Sequence, residues 1–121
     1  MPWLLVAAGG ALGALSRYAL DRAAVAVLGP TVLGILLINV TGSFLLGIFV
    51  AASDSFGWPS SARMLVAVGF LGSYTTFSTL TVASVQLAES GELTRAALNI
   101  VGSICLGLAA AVAGVLVGRA L

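Results

Sequence analysis

Four stretches of this chain, roughly 3–24, 31–52, 63–87 and 96–118, are each about 20 mostly apolar residues long. That is the length a helix needs to cross a bilayer. Nothing else in the sequence constrains the fold as tightly. Only 7% of the 121 residues are charged and 60% are hydrophobic, against about 25% charged in ordinary soluble domains. The chain therefore lacks the polar residues to cover a water-exposed surface. The expected fold is an all-α membrane protein, a single domain over 1–121, multi-pass in the cell membrane. The first stretch has no basic residue ahead of its apolar part, since the first charge is Arg17. It reads as a retained helix, not a cleaved leader.

The third stretch carries an interruption. In GFLGSYTTFSTL, Gly69–Leu80, every residue from Ser73 to Thr79 is hydroxylated or aromatic, and Gly69 and Gly72 come just before. Glycine weakens a helix by about 1 kcal/mol relative to alanine. Irregular backbone at membrane depth persists only where it is buried in protein or lines a wet cavity. This pattern predicts a broken third helix whose freed carbonyls and hydroxyls serve the function.

The remaining runs carry small and polar stripes. In the first, Gly9 and Gly13 form a small-xxx-small face, which lets helix backbones approach closely in lipid. Arg17 follows one turn later, with Asp21 at i+4 as a possible ion-pair partner. Arg17 is either an interfacial anchor or a vestibule cation that raises local anion concentration. In the second, Asn39 is followed by Gly42, Ser43, Leu46 and Gly47 on one face. Its amide needs a partner in hydrocarbon: it is either glue between helices or a donor facing a pathway. The pattern N-x-x-G-S-x-x-L-G beginning at Asn39 recurs from Asn99, so the second and fourth helices could present it to one polar seam. Gly114 and Gly118 make another close-contact face. Residues 53 to 62 read as a loop, with Trp58 as an interface anchor.

Charge placement bears on orientation. Arg63 and Arg119 flank one membrane face, and Arg17, Arg22 and Arg95 the other. Orientation is normally set by a clear Lys/Arg excess on the cytoplasmic side. Near-absence of bias predicts insertion both ways and an antiparallel, dual-topology homodimer. Four helices are also few to enclose a pathway.

The formal charge of +1 and the absence of Lys and His point away from nucleic acid. Lone Cys105 forms neither a zinc site nor a nucleophile with its base, and no enzyme chemistry is expected. No Asp, Glu, Lys or His lies mid-run, where proton-coupled transporters carry a relay; a passive pore is the simpler reading. The central polar groups are Asn39, Ser43, Ser73, Tyr74, Thr75, Thr76, Ser78, Thr79, Asn99 and Ser103, with Phe77 among them. Amide and hydroxyl donors, and the electropositive edge of a phenyl ring, suit an anion. A cation would want carboxylates or stacked carbonyls.

Through GGALGALSRY from Gly9, LLINVTGSFLLG from Leu36 and GFLGSYTTFST from Gly69, the chain resembles the fluoride channel family, Fluc or CrcB. The resemblance spans all four helices in order. It implies a dual-topology antiparallel homodimer that exports cytoplasmic fluoride passively. It implies that Asn39 is the pore-facing amide, that Phe77 meets fluoride edge-on, and that Ser103 is a hydroxyl along a polar track. Thr76, Ser78, Thr79, Leu80, Ser43 and Asn99 complete the candidate fluoride pathway, and Arg17 matches the first-helix arginine. Gly72 and Thr75 match positions whose backbone carbonyls hold a structural Na+ at the dimer interface, where unwound carbonyls are natural ion ligands. The chain departs from the family at Leu80 (usually phenylalanine), Ile35 (threonine), Asn99 (often tyrosine), Ser73 (glycine) and Ala83 (often acidic). Two other readings follow. One is a non-conducting partner of a paralogous subunit. The other is a small four-helix multidrug transporter, which would need a carboxylate inside the first helix.

Overall fold

A computed structural model describes all residues, Met1–Leu121. Its only regular structure is helix, with four helices long and apolar enough to cross a membrane: Pro2–Leu28, Leu33–Phe56, Ser60–Glu89 and Leu93–Ala120. These are the four runs expected from the sequence, each somewhat longer. The first continues to Leu28 because nothing before Gly29 stops it. Gly29 then takes φ +76, and its N–H bonds the Val25 carbonyl at 2.8 Å. That left-handed turn suits glycine.

The second span corrects the expected loop at 53–62. Helix persists through Asp54 to Phe56, and the connection is only 57–59. The Ser53 hydroxyl donates to the Val50 carbonyl at 3.0 Å, and the Ser55 hydroxyl to that of Ala51 at 3.1 Å. These polar side chains are thus absorbed by their own helix. Gly57, at φ +64, ends it. Trp58 folds back beside Phe49 and Phe56, with ring centroids 5.2 and 5.9 Å away. Arg63 and Asp54 form an exposed ion pair of 2.5 Å across this turn. Exposed pairs contribute about 0–1 kcal/mol. Asp54→Asn should therefore shift the thermal unfolding midpoint in detergent by no more than a few degrees.

The third span is broken where the glycine-hydroxyl cluster predicts. A leading arm runs over 60–74, widened by π-type turns across Arg63–Leu71. Thr75 and Thr76 are extended, with ψ 155 and 120, and a trailing arm resumes at Phe77–Glu89. Helix-to-helix packing then divides the subunit. The first span lies against the leading arm, the second lies along the fourth, and the trailing arm also meets the fourth. Both close-packed faces read from the sequence are used. A Cβ at Gly13 would run into the Phe70 carbonyl, and one at Gly114 into the Phe44 carbonyl. Ile35, Ile38, Tyr74 and Leu80 form the buried core, with Phe70 packed against it. The core thus sits at the break.

Candidate functional site

The break is a place where backbone groups lose their helical partners and side chains replace some of them. In a continuous helix the Thr76 N–H would bond the Gly72 carbonyl. Here it donates to Asn39 Oδ1 at 2.8 Å, while Asn39 Nδ2 donates to the Thr76 carbonyl at 3.0 Å. Asn39 therefore pairs both backbone polar groups of one residue, bridging the two peptide units that flank the Thr76 Cα. One N–H of its amide remains. The two sequence readings of Asn39, glue and donor, are both available to the same side chain.

Thr76 also starts the trailing arm. Its hydroxyl oxygen accepts the Thr79 N–H at 3.3 Å, as an N-cap does. The N–H groups of Phe77 and Ser78, ahead of the first helical bond, have no partner in the subunit. Unpaired amides at a helix N-terminus, with the positive end of the dipole, favour negative charge.

A cavity of about 380 Å³ opens beside this terminus. Of the residues singled out in the sequence, it brings together Asn39, Ser43, Thr75, Thr76, Phe77, Leu80 and Ser103. No carboxylate lines it. Ser103 is 93% buried by its 7% exposure, and its hydroxyl is the one buried side-chain polar atom without a partner. Leaving such a group unpaired costs about 1–3 kcal/mol, so this hydroxyl in the cavity wall is a candidate donor to a ligand. Gly42 permits the close fit. A Cβ there would collide with the Thr75 methyl and come within 3.1 Å of the Tyr74 ring. Phe77 is 72% exposed and stands at the cavity edge, whereas Leu80 is buried in the core.

Other expected members lie elsewhere. Ser78 and Thr79 are exposed and outside the cavity lining; their hydroxyls gather on Thr76 Oγ1 at 3.4 and 3.1 Å. Asn99 is also outside. It is buried and donates to Ser84 Oγ at 2.9 Å, and Ser84 in turn donates to the Leu80 carbonyl at 2.8 Å. The repeated motif therefore presents only part of itself to a shared seam: Ser43 and Ser103 meet at the cavity, but Asn39 and Asn99 do not. Ser84 was missed in the sequence because a serine amid apolar residues carries no mark of a distant partner.

Arg17 does not pair with Asp21. The ion pairs present are Arg63–Asp54 and Arg95–Glu92. Arg17 Nε instead donates to the Ser73 carbonyl at 3.3 Å. Gly72 is exposed at the same break, and the Thr75 carbonyl accepts no bond. Neutral carbonyl oxygens of this kind suit a hard cation, while no cluster of His, Cys, Asp or Glu capable of holding a metal exists.

The model of the CrcB-like family (Camphor Resistance, CrcB) matches residues 4–115. A protein of Nitrobacter winogradskyi named fluoride-specific ion channel FluC is 44% identical over 125 residues, covering 98% of each chain. One of Rhizobium etli with the same name is 38% identical, covering 98% of this chain and 96% of its own. A fluoride-specific ion channel FluC 2 of Geobacillus kaustophilus is 46% identical, covering 94% and 90%.

Proposed function

The chain belongs to the CrcB-like family, and from that premise we propose that it is a fluoride-selective channel of the cell membrane, conducting fluoride passively out of the cytoplasm. The observation that carries this is the unpartnered Ser103 hydroxyl in the wall of a carboxylate-free cavity beside the trailing arm's N-terminus. A small hydrated anion must exchange water for donors. Here it would meet the remaining Asn39 N–H, the Ser103 hydroxyl, free backbone amides and the edge of Phe77. No titrating group in the cavity offers a proton-coupled cycle. An ion-conducting role leaves no catalytic step to assign.

The pathway is incomplete in one subunit, since Phe77, Ser78 and Thr79 face outward. A second copy inserted in the opposite orientation would cover them, in keeping with the balanced arginines. At that interface the Gly72 and Thr75 carbonyls would hold a structural Na+, which would coordinate oxygens left without amide partners. A paralogous partner is the second reading: relatives are numbered FluC 1 and FluC 2, and Leu80 offers the anion no ring edge.

The test is fluoride efflux from KF-loaded liposomes containing only this polypeptide. Fluoride release without chloride release, and without a proton gradient, is expected. Equal chloride flux overturns the selectivity, and no flux from the pure chain moves the assignment to the heterodimer. Ser103→Ala should lower fluoride flux roughly tenfold, the equivalent of about 1.4 kcal/mol. The unfolding midpoint should stay the same or rise, because an unsatisfied buried hydroxyl has been removed.

A further inference from the structure

Arg17 lies within the first span, half-buried and without a carboxylate partner. Its recorded bond runs from Nε to the Ser73 carbonyl. Ser73 belongs to the last turn of the leading arm, which ends at Tyr74. That end carries unpaired carbonyls and the negative pole of its helix, where a cation is favoured. A charge-assisted hydrogen bond is roughly twice as strong as a neutral one. The neighbouring residues of the break are also held by side chains. Tyr74 Oη and Thr41 Oγ1 are hydrogen-bonded at 3.1 Å, and Asn39 grips Thr76. Thr75 is tied back to the Leu71 carbonyl through both its N–H and its hydroxyl at 3.2 Å.

We propose that Arg17 is a positioning residue: it fixes the end of the leading arm through Ser73, and with Thr41 and Asn39 it holds the break in its conducting shape. It does not act by drawing anions into a vestibule. The two roles ask different things of the side chain. Concentrating anions needs only charge, and salt screens it over about 8 Å at physiological ionic strength. Holding Ser73 needs an N–H at one point. Gln carries its amide nitrogen the same number of bonds from the backbone as Nε of Arg, without charge. Met has similar length and neither property.

This rests on the channel reading above, so two measurements are made. The first is fluoride flux per reconstituted protein for wild type, Arg17→Gln and Arg17→Met, each at low and high ionic strength. Positioning predicts Arg17→Gln within about threefold of wild type, Arg17→Met at least tenfold lower, and a salt dependence that does not follow the charge. Equal loss in both variants, with a wild-type flux that falls as salt rises, overturns the proposal in favour of an electrostatic vestibule. Unchanged flux in Arg17→Met overturns it as well. The second is amide hydrogen exchange at Thr75 and Thr76, which needs no conduction. Faster exchange in Arg17→Met but not in Arg17→Gln supports the clamp even if wild type proves non-conducting. Identical exchange in all three overturns it.

Discussion

Asn39→Asp is expected to abolish fluoride flux, lowering efflux from liposomes by at least about a hundredfold. Aspartate keeps the oxygen that accepts the Thr76 N–H, so half of the grip on the break survives. It loses the N–H that meets the Thr76 carbonyl and places a second oxygen against that carbonyl. Above all, it puts a negative charge on a cavity wall along which an anion must pass. Two like charges about 4 Å apart repel by roughly 4 kcal/mol at an effective dielectric near 20, close to a thousandfold. Asn39→Leu separates charge from support. It leaves both Thr76 backbone groups unpaired, a loss of about 2–3 kcal/mol in stability, but adds no repulsion. Flux should fall less in Asn39→Leu than in Asn39→Asp, while the unfolding midpoint should fall more. Undiminished flux in Asn39→Asp would mean that the cavity is not on the route of the ion.

Gly13→Leu should prevent the four-helix subunit from forming. A Cβ at Gly13 meets the Phe70 carbonyl oxygen head-on, with the Phe70 carbonyl carbon at 2.9 Å and Cα at 3.0 Å. All three atoms are backbone, so no side chain can rotate away. The first span would have to leave the leading arm, taking Arg17 away from Ser73. Overpacking a rigid contact costs about 1–3 kcal/mol or more, and a leucine against backbone belongs at the upper end. The measurement is the yield of monodisperse protein in detergent and its unfolding midpoint. Leu12→Ala is the control: Leu12 is 58% exposed on the outer side of the same helix, and its truncation should change stability by no more than about 0.5 kcal/mol. A well-folded Gly13→Leu protein would mean that the first span does not seat on the third as described.

The four spans were legible because burial in lipid demands a length of apolar chain, and that demand is local. The break was legible for a similar reason, since glycines and hydroxyls between Gly69 and Leu80 disagree with an apolar span. Span ends were less so. Ser53, Asp54 and Ser55 resemble a loop in composition, yet the two serine hydroxyls bond carbonyls one turn back and keep the helix going. Leu80 and Ile35 were visible as apolar residues where the resemblance led one to look for an aromatic and a hydroxyl. Their joint burial in one core cluster was not.

Local pattern alone settled the bilayer, the count of helices, the position of the break and the donor-rich, uncharged chemistry at its centre, because each depends on residues within a turn or two of one another. Packing between spans assigned the partners. It sent Arg17 to Ser73 rather than to Asp21, set Asn39 on the backbone N–H and C=O of Thr76, and tied Asn99 to Ser84 away from the cavity. A polar group in hydrocarbon must be satisfied by whatever the neighbouring helix brings within about 3 Å, and that is a property of how the helices dock.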